Sequence, residues 1–190
     1  MNKLVKGAVA GAAGIALLLG GAGTFALWNQ SATASASTVT SGTLSIATAG
    51  TGTWTDVSTS TARTISDIAS YRIVPGSKLK FVQQLSVNAT GNDLKADFTY
   101  DTKSVTGSLA STITPVLTIA GSATTTALPS GFTASSKANT FSVQPTGSGS
   151  TAVYATVTIE LPQNSDNSTQ NGTLDLSKLT FLLSQTAIGS

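Results

Sequence analysis

The feature that most constrains this chain is an alternation of apolar and polar residues with a period of two. It is plainest at Val153, Ala155, Val157, Ile159 and Leu161, which all share one parity. Successive side chains of a strand point to opposite faces, so such a run is a strand with one apolar face. Leu79, Phe81, Leu85, Val87 and Ala89 repeat the pattern, with Lys80, Val82, Gln84, Ser86 and Asn88 on the other face. After a turn at Gly91-Asn92-Asp93 comes a third such run. In it Leu94, Ala96, Phe98 and Tyr100 alternate with Lys95, Asp97, Thr99 and Asp101, and the second and third runs read as a hairpin. Further strands are expected over residues 38–49, 113–120, 140–144 and 152–161. The last apolar segment changes phase between Leu176 and Leu179, a slip that a bulge or turn at Ser177-Lys178 explains. Residues 51–63 read as turn-like around Trp54, residues 64–71 as one short helical turn, and residues 121–137 and 145–150 as Ser/Thr/Gly-rich loops. No segment keeps a helical period over three turns. The fold class expected is all-β, a single antiparallel β-sandwich.

The N-terminal stretch obeys a different rule. Lys3 and Lys6 form a basic front, and residues 7–23 carry no charge, with the densest apolar run at Ile15-Ala16-Leu17-Leu18-Leu19. Glycines at 20, 21 and 23 break that run, and Thr24-Phe25-Ala26 ends on a small residue. Basic front, apolar middle and small-residue exit describe a secretory signal. A retained membrane anchor is the alternative. A spanning helix needs about 20 strongly apolar residues, and this run is shorter and diluted with glycine.

Two blocks here resemble the TasA/camelysin family: Gly20-Gly21-Ala22-Gly23-Thr24-Phe25-Ala26-Leu27-Trp28-Asn29 and Thr38-Val39-Thr40-Ser41-Gly42-Thr43-Leu44-Ser45-Ile46. A looser likeness covers residues 75–98. The resemblance implies an alternate-type signal peptide handled by a SipW-type signal peptidase, with cleavage after Ala26 and Leu27 as the new terminus. A cut near Ala34-Ser35-Ala36 is the runner-up. It also implies a jelly-roll-like course for the sandwich. The domain organisation expected is therefore a signal peptide (1–26), an extended arm that is a candidate donor strand (27–41) and the β-sandwich (42–190).

Composition then excludes several functions. Lys3 and Lys6 account for the formal charge of +2, so without them the basic residues only balance the 8 acidic ones. A neutral chain does not carry the footprint of a nucleic-acid or anionic-membrane binder. Only 9% of residues are charged, which leaves Ser, Thr, Asn and Gln to cover the surface and weakens the repulsion that keeps proteins apart. There is no cysteine, hence no disulfide and no lipid attached through one. The C-terminal residues show no apolar tail and no sorting motif, so the cleaved protein is expected to have no membrane attachment.

The chemistry expected is equally bare. Without histidine or cysteine there is no His-based triad, no thiol nucleophile and no His or Cys zinc site. Ser77-Lys78-Leu79-Lys80 and Ser165-Asp166-Asn167 match fragments of the penicillin-recognising signature. The Lys-Thr-Gly element is missing and Ser77 opens a strand, so turn and edge chemistry is the reading. Asp93, Asp97 and Asp101, with Lys95 and Lys103 nearby, read as a solvated charge face. The loop 164–168 reads as polar, with calcium the sharper alternative for both. The sequence thus predicts no enzyme, no catalytic residue, no metal site and no cofactor.

Two functions remain. The first is a secreted structural subunit of surface or biofilm-matrix fibres, located in the extracellular matrix or on the cell surface of a Gram-positive-type bacterium. Its partner is itself, in a head-to-tail homopolymer, with a minor fibre subunit as a further candidate partner. Leu27, Trp28, Val39, Leu44 and Ile46 are the candidate polymerisation residues. Strand addition supplies affinity through backbone hydrogen bonds and register through alternating side chains. The alternative is a monomeric secreted adhesion or carbohydrate-binding module, for which Trp54, Tyr71, Tyr100 and Tyr154 form no platform in sequence.

Overall fold

The computed structural model describes residues 2–4, 39–147 and 149–187. The chain divides into two compact units, Met1–Val39 and Thr40–Ser190. In the first, Lys3 and Leu4 are helical. The expected signal segment beyond them, its junction at Thr24, Ala26 and Leu27, and Trp28 lie outside the described residues.

The second unit is built from strands: β1 (Thr43–Asp56), β2 (Arg63–Ile65), β3 (Lys78–Thr90), β4 (Ala96–Tyr100), β5 (Val116–Ala120), β6 (Phe132–Ala134), β7 (Phe141–Val143), β8 (Ser150–Glu160) and β9 (Phe181–Gln185). They form two antiparallel sheets in the orders β2-β1-β3-β8-β5 and β6-β7-β4-β9. After β3 every connection except β6–β7 passes from one sheet to the other, a jelly-roll-like route. The core lies between the sheets. Leu85, Val87, Val153 and Val157 enter it from the first sheet, Phe98 and Val143 from the second, and all are at most 2% exposed. The period-two pattern thus does what it predicts.

Four expectations are corrected. Residues 79–89 and 94–101 do form strands, but not a hairpin: β3 pairs with β1 and β8, whereas β4 pairs with β7 and β9. Two strands with one apolar face each can bury it edge to edge or face to face. Alternation does not distinguish the two arrangements, and the chain crosses over at Gly91, whose φ is 132°. Trp54 belongs not to a turn but to β1, opposite Phe81, with the rings 5.0 Å apart. Residues 64–71 hold no helix; β2 runs into a turn closed by Tyr71 N–H donating to the Ile68 carbonyl at 3.2 Å. The loop at 121–137 contains β6, a short edge strand that Phe132 anchors in the core at 6% exposure. The turn expected at Ser177-Lys178 is present, closed by Leu179 N–H on the Leu176 carbonyl at 3.0 Å.

A bulge interrupts β1. Ala49 pairs with Gln84 and Thr53 with Val82, so residues 50–52 face Gln83 alone. Gly50 takes a φ of 71°, and a Cβ on Gly52 would lie 2.2 Å from the Phe81 ring. Two extra residues preserve parity, and Leu44, Ile46, Trp54 and Asp56 therefore all face inward. Gln83 is itself inward and 7% exposed, in phase with the apolar residues of β3. Its amide Nε2 donates to the carbonyls of Ala49 (3.4 Å), Gly50 (3.2 Å) and Gln84 (2.9 Å), bonds that brace the bulge. Leaving buried acceptors unpaired costs about 1–3 kcal/mol. Gln83→Leu is expected to lower unfolding stability by about that amount in urea melts, despite adding apolar bulk.

Candidate functional site: the open edge of the first sheet

β2 pairs only with Trp54, Thr55 and Asp56. Over Thr43–Ala49, β1 is paired with β3 on one flank and, among the described residues, with nothing on the other. This is the longest free edge among the described residues; the other edge strands, β5, β6 and β9, run five residues or fewer. Natural edges are blunted by lysine, proline or bulges. Here Thr43-Leu44-Ser45-Ile46-Ala47-Thr48-Ala49 contains neither a charge nor a proline. The edge is a row of backbone donors and acceptors with no device to keep a strand away.

The core is thin beside it. Leu44 and Ile46 pair with Ala89 and Val87 of β3, yet they are only half-buried, as are Phe181 and Leu183 on β9, the edge strand of the facing sheet. Thr48, inward by register, is exposed. At the start of β1 a groove of about 720 Å³ opens between Gly42, Leu44, Thr90, Asn92, Leu94 and Gln185. The two sheets therefore do not close over each other along this flank.

The other half of β1 is fastened. Asp56, its side chain 7% exposed, accepts from Arg63 Nη2 at 2.7 Å, from the Tyr71 hydroxyl at 2.7 Å and from Ser58 N–H at 2.8 Å. The Ser58 hydroxyl donates to the same carboxylate and accepts Lys78 N–H at 2.8 Å. The Ser58 hydroxyl first, then Tyr71, the Ser58 N–H and Arg63, hold this carboxyl well below the usual carboxylate range. The same bond raises the Tyr71 hydroxyl. The network ties β2 and the start of β3 to the end of β1, which restricts the open edge to Thr43–Ala49.

The remaining sequence candidates separate. Leu44 and Ile46 sit within β1, in the sheet of their own domain, and Val39 is 94% exposed. The Ser77 hydroxyl accepts Val74 N–H at 2.9 Å and is buried, while Lys80 lies on the opposite face of β3, so the Ser-x-x-Lys pair does not assemble. Asp93, Asp97 and Asp101 do not share one face. Asp93 lies in the crossover, Asp97 pairs with Lys137 at 3.6 Å, and Asp101 caps a 3-10 turn by accepting Lys103 N–H at 3.0 Å. Asp166 likewise caps a turn, through Ser168 N–H at 2.9 Å. Among the described residues no three His, Cys, Asp or Glu side chains gather as metal ligands. Trp54, Tyr71, Tyr100 and Tyr154 line no common face: Trp54 packs on Phe81, Tyr71 binds Asp56, Tyr100 is buried with its hydroxyl on the Pro115 carbonyl at 3.1 Å, and Tyr154 is on the outer face of β8.

Sequence reasoning missed Gln83 and Asp56. Parity exposes Gln83, the one polar residue in the apolar register of β3, whereas nothing local marks Asp56, whose partners lie up to fifteen residues away. No helix among the described residues is long and apolar enough to cross a membrane. Comparison of the chain with protein-family models, curated proteins and solved structures finds no match.

Proposed function

We propose that the protein is a secreted structural subunit of extracellular surface or biofilm-matrix fibres, in which the N-terminal arm (27–41) of one copy adds a strand to the sandwich of the next. The observation that carries this reading is the edge of β1, uncharged and, among the described residues, free, beside a half-covered core. An added strand satisfies the edge's backbone groups and places alternate side chains over Leu44 and Ile46. A contact between different surfaces of identical subunits does not close on itself, so it propagates as a filament. The near-neutral, sparsely charged composition suits close packing of copies. Export through a signal ending at Ala26, cut by a SipW-type peptidase, and a minor fibre subunit as a second partner belong to the same proposal.

Electron microscopy and sizing chromatography of residues 27–190 beside residues 42–190 test it. The longer form is expected to give fibres and the shorter a folded monomer with an unchanged β-type circular dichroism spectrum. Monomers from both forms across salt and concentration would sink the fibre reading in favour of a secreted ligand-binding module.

A further inference from the structure

The open edge has two ends and therefore a length. At one end the bulge at residues 50–52 turns β1 out of register, locked by the Gln83 amide. At the other, Gly42 runs so close to β3 that a Cβ there would lie 2.0 Å from the Thr90 carbonyl oxygen. Between them stand seven ladder positions, Thr43 to Ala49, of which Leu44, Ile46 and Thr48 face inward. An occupant must therefore be about seven residues long, with three small or apolar side chains at alternate positions.

The arm contains such a run. Ser31-Ala32-Thr33-Ala34-Ser35-Ala36-Ser37 alternates strictly between hydroxyl and methyl, and its neighbours on both sides break the pattern. We infer that Ser31–Ser37 of a second copy is the strand that the edge receives, antiparallel to β1, with Ala32, Ala34 and Ala36 turned inward. The inference rests on the strand-addition reading above and adds the segment, the direction and the register. Every strand pair in both sheets is antiparallel, so the added strand continues the first sheet in kind. Ala36 then stands opposite Leu44, Ala34 opposite Ile46 and Ala32 opposite Thr48, with Ser35 opposite Ser45 on the wet face. Alanine suits this flank because the space beside Leu44, Ile46, Phe181 and Leu183 is already half filled. A one-residue slip would turn hydroxyls onto those leucine and isoleucine side chains.

The second copy as donor follows from the strand-addition reading, in which identical subunits meet through different surfaces.

The cysteine-free chain makes the register directly measurable. Ser35→Cys and Ser45→Cys are introduced separately into the full chain, and the two variants are mixed, assembled and mildly oxidised. Linked peptides are then mapped by mass spectrometry. Directly opposite antiparallel residues have Cα atoms about 4.5–5.5 Å apart, within disulfide reach, whereas diagonal neighbours lie about 7–8 Å apart. The expected result is a 35–45 link at least about tenfold more abundant than a 33–45 link from Thr33→Cys mixed with Ser45→Cys, since Thr33 faces Ser45 only in a parallel strand or in an antiparallel one slipped by two residues. Fibres with the 33–45 link dominant, or with neither link, overturn this register while leaving strand addition intact. With Ser35→Cys and Ser45→Cys placed together in one chain, a 35–45 link formed within that chain overturns the second-copy assignment. Absence of both fibres and links defeats the strand-addition reading itself, and the register with it.

Discussion

Phe98→Ala is expected to remove about 3–5 kcal/mol of folding stability, the range for deleting a buried aromatic ring. Phe98 is 0% exposed, on the strand that holds the second sheet together between β7 and β9. Its ring stacks on Phe181 at 5.9 Å and meets Phe132 edge-on at 6.1 Å, so it joins the inner face of β4 to β9 and to the outer strand β6. Truncation leaves a cavity where three rings meet. Domains of this size are stable by only about 5–15 kcal/mol, so the variant sits close to its unfolding threshold. Urea unfolding followed by circular dichroism is expected to show a much lower midpoint with an unchanged slope. The control is Leu182→Ala, on the outer face of β9 and 37% exposed, which is expected to change stability by less than about 0.5 kcal/mol. Equal losses in the two variants would place the centre of the core elsewhere.

Asp56 sets the acid stability of the fastened end of β1. Its folded carboxyl is depressed below the ordinary value of 3.8 by the Ser58 hydroxyl, Tyr71, the Ser58 N–H and Arg63, in that order. A depressed folded pKa means that the unfolded chain binds the proton more readily. The stabilisation is therefore complete above about pH 4 and is lost as pH falls through the lower folded value. The unfolding midpoint is expected to decline steadily between about pH 4 and pH 2. Asp67, Asp166 and Asp175, depressed by Ser70, Ser168 and Ser177 in turn, act in the same direction. Asp56→Asn is expected to melt several degrees lower at neutral pH and to show a shallower acid limb, because the variant has no charge there to lose. A variant with the wild-type acid limb would assign the effect to the other three carboxylates. Because the network also holds β2 on β1, the variant is expected to expose the amides that join these two strands to hydrogen exchange while those of β8 stay protected.

Much of the fold is legible without coordinates. Val153 to Leu161 and Leu79 to Ala89 announce their strands and inner faces, since a period of two leaves a strand no choice about which side is buried. Gln83 is legible by the same parity; its reason for being inside is the bulge opposite, a feature of the neighbouring strand. Trp54 reads as turn-like because residues 51–63 are rich in Ser and Thr. In the folded chain Gly50 and Gly52 absorb two extra residues and return β1 to phase. The candidate site was legible only as a supposition about the arm.

What the sequence by itself determined was the class of the protein: strands with one apolar face, no histidine or cysteine chemistry, a sparsely charged surface of hydroxyls and amides, and an N-terminal stretch built unlike the rest. Those properties are local, set by side-chain type and parity. Only the tertiary structure decided which strands are neighbours, that residues 79–89 and 94–101 face each other across the core, and that β2 covers half of β1 and stops. An open edge is a missing neighbour. It exists only in the relation between elements far apart in the chain, so the flank of Thr43–Ala49 that is open among the described residues is a property of the topology.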